Sequence, residues 1–464
     1  MTPIGCHVAR VTCAMAFAVA AVSAGTASAK PPNVIVLLGD DLGYADLGFQ
    51  GCEDIPTPHL DALATAGVRF TDGYATCPVC SPTRAGLLTG RYQNRFGYEF
   101  IGGGFKPNPN IGLPPSETTV GDLLQDAGYV TGAIGKWHLG QEPQFRPWTR
   151  GFDEFYGFLG GGRSYFPAKD RPPVPFARYD PILRNGVEVD EPEYLTDDFG
   201  REAAEFVVRY KEEPFFLFVA FNAPHVPLQA PEDRLQQFSS IPHKGRRTYA
   251  AMVSAMDDAV GRLMQAIGEH GLRENTLVFF ASDNGGHPLA NAARNAPLRG
   301  QKGTVYEGGI RVPFLMSWPA RFKAGSVYSR PIATIDILPT VLGAAGVEPP
   351  ADLALDGVDL LPFLTGQQPG DPHSAIYWKY GDNRAVRQGD WKLTMPADGP
   401  AGLYDLSQDV GETSDLAASQ PDKLRELTQL FDAWNDGLPA AGWPPSFMEG
   451  SAKRKAEPKQ GQGE

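Results

Sequence analysis

The chain has 464 residues, of which 42% are hydrophobic, and its formal net charge is −13. This length and composition predict a globular protein with a large buried core and room for two domains. The negative charge argues against nucleic acids and anionic membranes as partners, because both bind broad basic surfaces. It does not argue against a single anionic ligand, for which a local cationic pocket is sufficient.

The N-terminal residues 1–29 have the organisation of a cleavable signal peptide. Arg10 precedes an apolar run over residues 11–22, and residues 27–29 read Ala-Ser-Ala, the small-x-small form of a cleavage site. We therefore expect cleavage before Lys30 and a mature protein in the periplasm or outside the cell. The apolar run is too short to span a bilayer, and no later segment is long and apolar enough, so we expect no membrane anchor.

Three cysteines remain after the predicted cleavage: Cys52, Cys77 and Cys80. So few cysteines do not form a disulfide framework. A single bridge between Cys52 and Cys77 and a pair of buried thiols are both compatible with an oxidising compartment.

The first predicted strand covers residues 33–38, a continuous apolar run as expected of a central parallel strand that is covered on both faces. Asp40 and Asp41 follow it, and open α/β sheets bind ligands where their strands end. A polar turn with a helix cap is one explanation of the two aspartates. Because adjacent carboxylates repel each other at neutral pH, a hard divalent cation between them is the alternative that we favour.

The stretch 77–91 combines a thiol, a helix start and a fixed cation. Ser81 is a suitable N-cap, and Gly90 suits the left-handed position beyond the helix end. Cys80 would then lie just outside the helix N-terminus, where the helix dipole stabilises negative charge, and Arg84 could reach back to the same point. Taken alone, Cys80 could equally be a buried small hydrophobe or one half of a disulfide.

Two further predicted strands, residues 130–134 and 215–221, are followed by basic side chains. Lys136 and His138 lie two residues apart, so strand alternation would point them the same way. His225 lies between two prolines, which fix the local backbone, and a proton donor to a leaving alcohol needs such a fixed position. Taken singly, a solvated lysine and a core histidine are the commoner outcome for such residues.

The second half begins with a helix over residues 249–270, whose apolar side chains recur at helical spacing. A strand over residues 277–281 then runs into Asp283 and Asn284, which repeats the arrangement of an apolar strand followed by oxygen donors. With the two earlier aspartates, these residues offer four oxygen-donor side chains to a metal. Lys302 follows in a Gly-containing turn, where a lysine is usually exposed to solvent.

A Pro-rich and Gly-rich passage at residues 346–372 marks a change of composition. Beyond it we predict short strands at residues 375–380, 385–388 and 391–395 and a helix at residues 421–434. These elements would form a smaller α+β domain, residues 366–445, on an antiparallel sheet. The polar residues 446–464 are expected to form a disordered tail.

Three of these motifs resemble a known family. Residues 80–91 read Cys-x-Pro-x-Arg followed by Ala-Gly-Leu-Leu-Thr-Gly-Arg, which closely resembles the signature of the type I sulfatases. Residues 40–48 resemble the first metal-binding motif of that family, and Gly-Lys-Trp-His at residues 135–138 is similar to a recurrent sulfatase element. The resemblance spans most of residues 33–313 and is weaker beyond. In motif order the chain is similar to arylsulfatases and N-acetylgalactosamine-6-sulfatases.

The resemblance implies the fold of the alkaline phosphatase superfamily. This is an α/β fold with a large, mixed and mostly parallel sheet between helices. It would occupy a catalytic domain over residues 30–365, followed by the smaller α+β domain.

The resemblance also implies a modification and a metal. In type I sulfatases the signature cysteine, here Cys80, is oxidised to formylglycine by a formylglycine-generating enzyme, and the hydrated aldehyde is the nucleophile. The metal would be Ca²⁺, which takes more oxygen ligands than Mg²⁺ and fits this donor set better. The implied metal ligands are Asp40, Asp41, Cys80, Asp283 and Asn284.

The implied catalytic residues are Cys80, Arg84, Lys136, His138, His225, Lys302 and Asp283. Lys136 and Lys302 would neutralise the sulfate oxygens, and His225, assisted by Lys302, would protonate the leaving alcohol. Asp283 would activate the attacking hydroxyl, and His138 would help to remove a proton from the second hydroxyl.

The resulting hypothesis is a sulfuric ester hydrolase that releases inorganic sulfate from a sulfate monoester. Aromatic and Gly-rich loops at residues 96–105 and 160–166 indicate a saccharide substrate. Two rival functions remain. One is a phosphonate monoester or phosphodiester hydrolase on the same scaffold, and the other is an unconverted, inactive binder of sulfated glycans.

Overall fold

The computed structural model describes residues 1–2, 5, 30–102, 108–167, 170, 180–190 and 192–445. Residues from Pro31 onward form one compact unit, to which every element named below belongs. The predicted signal-peptide cleavage site and the predicted tail lie outside the described residues. The domain boundary after residue 365 stays a prediction. Within the described residues, no helix combines the length and apolar character needed to cross a bilayer.

Sixteen strands and eleven α-helices occur among the described residues. The strands are β1 (Asn33–Gly39), β2 (Val68–Phe70), β3 (Gly73–Tyr74), β4 (Val130–Lys136), β5 (Glu154–Phe158), β6 (Ile182–Arg184), β7 (Val187–Val189), β8 (Phe215–Ala220), β9 (Thr276–Ser282), β10 (Phe314–Ser317), β11 (Ser326–Tyr328), β12 (Ile332–Ala333), β13 (Ile376–Tyr380), β14 (Asn383–Gln388), β15 (Trp391–Met395) and β16 (Gly402–Asp405). The helices are α1 (Pro58–Ala66), α2 (Cys80–Thr89), α3 (Val120–Asp126), α4 (Leu195–Tyr210), α5 (Glu232–Gln237), α6 (Lys244–Glu269), α7 (Pro288–Asn291), α8 (Glu307–Ile310), α9 (Ile337–Ala345), α10 (Leu361–Leu364) and α11 (Pro421–Asn435).

Ten strands form one large sheet in the order β11-β2-β10-β9-β1-β8-β4-β5-β6-β7. The five central strands, from β9 to β5, run parallel to one another. β10 runs antiparallel to both of its neighbours, and β6 and β7 form an antiparallel edge. The predicted mixed, mostly parallel sheet is therefore confirmed. Because β1 is central, its carboxyl end lies beside those of β8 and β9, with Gly39 opposite Ser282.

The sheet is covered on both faces, which explains the continuous apolar run of β1. Ile35 and Leu37 belong to one core together with residues of α4 and α6. Val34, Val36 and Leu38 belong to a second core with residues of α2 and α9. Since successive side chains of a strand point to opposite faces, a strand between two cores needs apolar residues at every position.

Two helices differ from the sequence prediction. α6 begins at Lys244 instead of residue 249, because the His243 side chain caps it by accepting the N–H of Arg246 at 3.0 Å. α4 is not predicted above, although its buried residues include Leu195, Phe199 and Ala203 at four-residue spacing. That spacing is typical of an amphipathic helix, so the signal for α4 was present in the sequence.

The C-terminal elements form the predicted small α+β arrangement. β13 to β16 make a four-stranded antiparallel sheet, and residues of α11 share its core. The fourth strand, β16, is not predicted above. On β15, the fully buried Lys392 donates to Glu307 of α8 at 2.8 Å and to Glu412 at 2.9 Å. These buried ion pairs join the small sheet to the region that precedes β10.

His373 belongs to a hydrogen-bonded cluster at the start of the small sheet. Its Nε2 lies 2.8 and 2.9 Å from the two carboxylate oxygens of Asp336. The same carboxylate accepts the N–H groups of Ala333 and Val358. Burial lowers the pKa of His373, but the Asp336 carboxylate outweighs burial, so the net pKa of His373 is raised.

We expect His373→Asn to lower the free energy of unfolding by about 1 to 3 kcal/mol at about pH 5.5, and by less at about pH 9. A histidine with a raised folded-state pKa contributes its full stabilisation below the unfolded-state pKa. That contribution is lost as the pH rises through the folded-state pKa. Urea unfolding of both proteins at the two pH values measures the difference. An effect that grows toward the higher pH would contradict a protonated His373.

Candidate active site

The carboxyl ends of β1 and β9 bring the four predicted oxygen donors together. The Asp283 N–H donates to the Gly39 carbonyl of β1 at 3.1 Å. The Asp41 N–H donates to Asp283 Oδ1 at 3.2 Å, and Asn284 Nδ2 donates to Asp41 Oδ1 at 2.8 Å. Asp40 is also buried. Two strand ends that are distant in sequence therefore build one polar cluster inside the protein.

α2 carries Cys80 as its first residue, with Val79 as the N-cap. The prediction of Ser81 as the N-cap is therefore wrong. Ser81 lies inside the helix, and its Oγ pairs with the Tyr98 hydroxyl at 2.6 Å. Gly90 follows the helix end in the left-handed conformation, with φ of 63°, as predicted. Cys80 still lies at the helix N-terminus and is only 2% exposed.

Lys302 links Cys80 to the oxygen donors. Its Nζ lies 3.2 Å from Cys80 Sγ and donates to Asp41 Oδ1 at 2.6 Å. Cys80 Sγ itself lies 3.9 Å from Asp41 Oδ1. The Lys302 N–H donates to the Gly286 carbonyl at 3.1 Å, which fixes the backbone of the turn. Lys302, whose side chain is 14% exposed, is thus part of the cluster instead of facing solvent.

Arg84 reaches back from α2, as predicted, and joins two carboxylates. Its Nη2 lies 2.8 Å from Asp283 Oδ2 and 3.2 Å from Asp40 Oδ2, and all three side chains have 0% exposure. Its Nη1 donates to the Lys136 carbonyl at 2.9 Å. Lys136, the last residue of β4, donates its Nζ to the same Asp40 oxygen. Solvent does not screen these ion pairs, because no member is exposed.

The two predicted histidines occupy different environments. His225 Nδ1 lies 2.7 Å from the Val226 carbonyl, and Nε2 lies 3.6 Å from Asp41 Oδ2. Because a carbonyl oxygen only accepts, Nδ1 carries the proton. His138 is buried, and neither of its ring nitrogens has a hydrogen-bond partner among the described residues. The φ of His138 is 60°, so the strand alternation predicted from Lys136 onward stops before His138.

Burial and charge give the members of the cluster different pKa values. Burial raises the pKa of the Cys80 thiol well above its usual value, so the unmodified thiol stays protonated and weakly nucleophilic. Burial is the largest cause that raises the pKa of Asp283 to about 6, and the negative charge of Asp40 adds to this shift. Burial acts in the same direction on Asp40, but the neighbouring cations, above all Lys136, outweigh it and hold the pKa of Asp40 well below its usual range.

The histidines and Lys302 are also shifted. Burial, followed by the charge of Lys136, lowers the pKa of His138 well below its usual value, so the ring is neutral. Burial lowers the pKa of His225, although Asp41 opposes this shift. Burial also acts to lower the pKa of Lys302, but Asp41 outweighs it and raises that pKa well above its usual value, so the ammonium stays charged.

The donor set of the cluster fits a divalent cation. One ligand atom from each of Asp40, Asp41, Cys80 and His225 lies within 4.8 Å of the others. Asp40 Oδ1 and Asn284 Oδ1 are buried and have no hydrogen-bond partner within the described part of the chain. A buried polar oxygen without a partner is costly, and oxygen atoms are the ligands that hard cations prefer.

Two family models match the chain. Residues 32–347 match the family described as Sulfatase, and residues 301–431 match the family described as N-sulphoglucosamine sulphohydrolase, C-terminal. The chain belongs to the sulfatase family.

Relatives with assigned activities agree with this assignment. The sulfatase is 36% identical over 381 residues to the N-acetylgalactosamine-6-sulfatase of Canis lupus familiaris, a match that covers 78% of the chain and 71% of the relative. It is 35% identical over 470 residues to the arylsulfatase A of Homo sapiens, with 88% and 89% covered. The predicted enzyme class, a hydrolase of sulfate esters, is therefore confirmed.

Solved structures support the same fold. The crystal structure of Ps i-CgsB in complex with k-i-k-neocarrahexaose superposes with a TM-score of 0.85 at 38% identity, covering 92% of the sulfatase and 97% of that chain. The phosphonate monoester hydrolase of Agrobacterium radiobacter superposes with a TM-score of 0.63 at 22% identity and shares the fold. The predicted alkaline phosphatase-like fold of a type I sulfatase is confirmed.

The three described cysteines of the sulfatase decide between the disulfide and the free thiols that the sequence left open. Cys52, Cys77 and Cys80 are all free thiols. Cys52 Sγ donates to Asp54 Oδ1 at 3.2 Å, and Cys77 is buried. The structure therefore contradicts a disulfide bridge between Cys52 and Cys77 and agrees with the alternative that both are thiols.

Three tyrosines border the sulfatase site: Tyr98 and Tyr165 lie in the two aromatic loops named from the sequence, without a predicted role of their own, and Tyr380 had no sequence signal. Tyr98 pairs with Ser81, and the Tyr165 hydroxyl lies 2.8 Å from the carbonyl oxygen of His225. Tyr380 of β13 is the third: it lies close enough to Cys80 and Lys302 to interact with them electrostatically, and burial raises its pKa to about 12. No local pattern marks a tyrosine as a neighbour of a site, because its partners come from other elements.

Proposed function

We propose that this sulfatase removes sulfate from a sulfated saccharide, using a formylglycine made from Cys80 and a bound calcium ion. The position of Cys80 carries the proposal. The signature residue starts α2, and its Sγ lies 3.2 Å from the Lys302 ammonium and 3.9 Å from Asp41 Oδ1. A nucleophile that attacks an anionic ester needs fixed positive charge beside it, and Lys302 supplies that charge.

Calcium would be held by Asp40, Asp41, Asp283 and Asn284, together with the side chain of residue 80. One buried oxygen each of Asp40 and Asn284 lacks a hydrogen-bond partner among the residues that the structure describes, which supports this assignment. When bound, the ion supplies Lewis-acid polarisation of the sulfate oxygens. Magnesium matches less well, because it demands a compact octahedral shell and keeps several of its waters.

Formylglycine would supply, once hydrated, one hydroxyl that attacks sulfur and a second hydroxyl whose deprotonation expels sulfate. A thiol has no second ionisable hydrogen, so oxidation of Cys80 is required for turnover. We propose a formylglycine-generating enzyme as the partner that performs this oxidation, and export through the N-terminal segment to the periplasm or beyond.

The chain's own residues would divide the remaining work. Asp283, whose pKa burial raises to about 6, accepts a proton from the attacking hydroxyl. Lys136 and Lys302 bind the sulfate oxygens, and Arg84 holds Asp40 and Asp283 in place through ion pairs of 3.2 and 2.8 Å. These roles need charges that are fixed before the substrate arrives.

The two histidines would handle the other protons. His225, whose Nε2 faces the cluster, protonates the leaving alcohol in its imidazolium form, in which Nε2 carries a proton in addition to the one on Nδ1. The Asp41 carboxylate, which acts to raise the pKa of His225 against burial, favours that form. His138 accepts a proton from the second hydroxyl, a role supported by its neutral ring and its ring nitrogens without partners among the described residues.

A saccharide substrate is supported by the relatives. The names of two relatives specify N-acetylgalactosamine 6-sulfate and aryl sulfate esters, and a structural relative was crystallised with a neocarrahexaose. Sulfated sugars are therefore the first substrates to test. The sugar and the position of its sulfate group require a screen of defined compounds.

The test is a screen with protein whose residue 80 is shown by mass spectrometry to be converted. Inorganic sulfate is measured after incubation with sulfated mono- and oligosaccharides and an aryl sulfate, and hydrolysis is measured with an aryl phosphonate and a phosphodiester. We expect sulfate release from at least one saccharide. Faster phosphonate or diester hydrolysis would favour the rival enzyme. A residue 80 that stays a cysteine, in protein that binds sulfated glycans without releasing sulfate, would favour the inactive binder.

We expect calcium removal to lower both activity and stability. Chelation should reduce kcat by about tenfold or more and lower the melting temperature, because an ion that binds only the folded state stabilises it. Added Ca²⁺ should restore both quantities, and Mg²⁺ should restore less. Asn284→Ala should raise the Ca²⁺ concentration needed for half-maximal activity by about tenfold or more. Full activity in the chelated protein would contradict a metal at this site.

A further inference from the structure

The segment 160–166 packs against both histidines of the site. A Cβ atom added to Gly161 would lie 2.6 Å from His138 Nε2, and one added to Gly162 would lie 3.7 Å from His225 Cε1. The segment therefore lies close to Nε2 of His138 and to Cε1 of His225.

Tyr165 anchors this segment to the turn that carries His225. Its side chain is fully buried. Its hydroxyl lies 2.8 Å from the His225 carbonyl oxygen and also contacts the Asn222 carbonyl oxygen. The His225 N–H donates to the same Asn222 carbonyl at 2.9 Å. One phenol thus binds both carbonyl groups at the ends of the turn from Asn222 to His225.

Tyr165 is itself held from other directions. Its ring stacks on Tyr194 with a centroid distance of 5.7 Å and an interplanar angle of 22°. Its N–H donates to Gln229 Oε1 at 2.9 Å, and its carbonyl accepts the Leu195 N–H at 2.8 Å. A side chain with this many fixed contacts has little freedom, so it can hold the turn rigidly.

We propose that Tyr165 is a positioning residue that sets the direction of His225 Nε2. The Nδ1 atom of His225 is fixed by the Val226 carbonyl at 2.7 Å, so the ring moves with the turn backbone. Tyr165 holds that backbone, and Nε2 consequently faces the centre of the site. The inference rests on the proposed role of His225 as proton donor to the leaving alcohol. A shift of about 1 Å in a catalytic group costs as much as about 100-fold in rate.

The test compares Tyr165→Phe with Tyr194→Phe. Both substitutions remove one buried phenol hydroxyl from the same stacked pair, but the Tyr194 hydroxyl donates to the Gln229 carbonyl at 2.8 Å and not to the His225 turn. The measured quantities are kcat and KM for a sulfated saccharide and for a series of aryl sulfates whose leaving groups range from poor to good. A good leaving group departs without a proton, so it does not need His225.

We expect Tyr165→Phe to lower the ratio of kcat on the saccharide to kcat on p-nitrophenyl sulfate by about tenfold, with KM changed little. Its kcat should also depend more steeply on leaving-group pKa, as that of His225→Ala does, and combining the two substitutions should add no further steepness. Tyr194→Phe should leave the ratio unchanged.

Three outcomes would overturn the proposal. The first is an unchanged ratio in Tyr165→Phe, and the second is an equal loss on all substrates. The third is a steeper leaving-group dependence in Tyr165→Phe but not in His225→Ala, because Tyr165 would then act elsewhere. The proposed function fails separately, when the converted wild-type enzyme releases no sulfate from any compound.

Discussion

Cys80→Ala is expected to lower kcat/KM for sulfate release by about 10⁴-fold or more while the protein remains folded. In the proposed mechanism, residue 80 supplies the nucleophile after oxidation. Alanine can be neither oxidised to the aldehyde nor hydrated. The remaining cluster could still bind sulfate through Lys136 and Lys302, so we expect binding of a sulfated substrate to weaken far less than turnover.

Cys77→Ala is the matched control for this prediction. Both cysteines are buried and free, and they lie three positions apart. Burial raises the pKa of both thiols. Only Cys80 has its sulfur within 3.2 Å of Lys302 Nζ. Cys77→Ala should therefore keep activity within about tenfold of the wild type, at the cost of a small cavity.

The measurement combines released sulfate with mass spectrometry of the peptide that contains residue 80. Wild-type protein should give a sulfur-free, aldehyde-bearing residue in proportion to its activity. Unconverted wild-type protein should be as inactive as Cys80→Ala, because its thiol is protonated. Activity that follows the thiol content instead of the aldehyde content would disprove the proposed nucleophile.

Arg84→Met is expected to destabilise the sulfatase by about 3 to 5 kcal/mol and to reduce activity strongly. The Arg84 guanidinium pairs with Asp283 at 2.8 Å and with Asp40 at 3.2 Å, and none of the three side chains is exposed. Removing the cation leaves two buried carboxylates without this partner, and water cannot replace it. Methionine fills a similar volume, so most of the loss comes from charge and not from a cavity.

Arg91→Met and Arg84→Lys are the controls for the loss of this cation. Arg91 lies just beyond α2 and pairs with Glu117 at 2.6 Å, but its side chain is 23% exposed. Its replacement should cost only about 0 to 1 kcal/mol, as for other partly exposed pairs. Arg84→Lys keeps the charge but loses the forked geometry, so we expect an intermediate loss. Urea unfolding measures all three variants. Equal losses for Arg84→Met and Arg91→Met would contradict the buried ion-pair network.

The balance of charge explains why these two residues have the largest expected effects. Three cations, Arg84, Lys136 and Lys302, face three carboxylates, Asp40, Asp41 and Asp283. A divalent cation and a singly charged sulfate ester would together add one positive charge to this balanced set. That excess favours the negative charge that develops on the leaving oxygen. Removal of Arg84 cancels the excess positive charge. Removal of Cys80 keeps the excess charge but removes the nucleophile, so no negative charge develops on a leaving oxygen.

The sequence alone was sufficient for features that depend on local pattern. The apolar runs of β1 and β9 indicated strands buried on both faces, and the polar residues after them marked the edge where the site lies. The motif around Cys80 indicated the family, and Gly90 indicated the end of α2. Each of these signals lies within about ten consecutive residues, so local spacing and side-chain chemistry express it completely.

The tertiary structure decided everything that depends on partners distant in the chain. Asp283 contacts Arg84 across 199 positions of the sequence, and Tyr165 contacts His225 across 60. No local spacing encodes either contact.

The start of α2 at Cys80 instead of after Ser81 was decided in the same way, because the Ser81 hydroxyl pairs with the Tyr98 hydroxyl and does not cap the helix. Short strands such as β2 and β6 also escaped sequence analysis, since three residues are too few to show alternation and only pairing in the sheet defines them. The energies of packing and strand pairing depend on contacts between residues that are distant in the sequence. These contacts exist only in the folded chain, so a local sequence pattern does not reveal them.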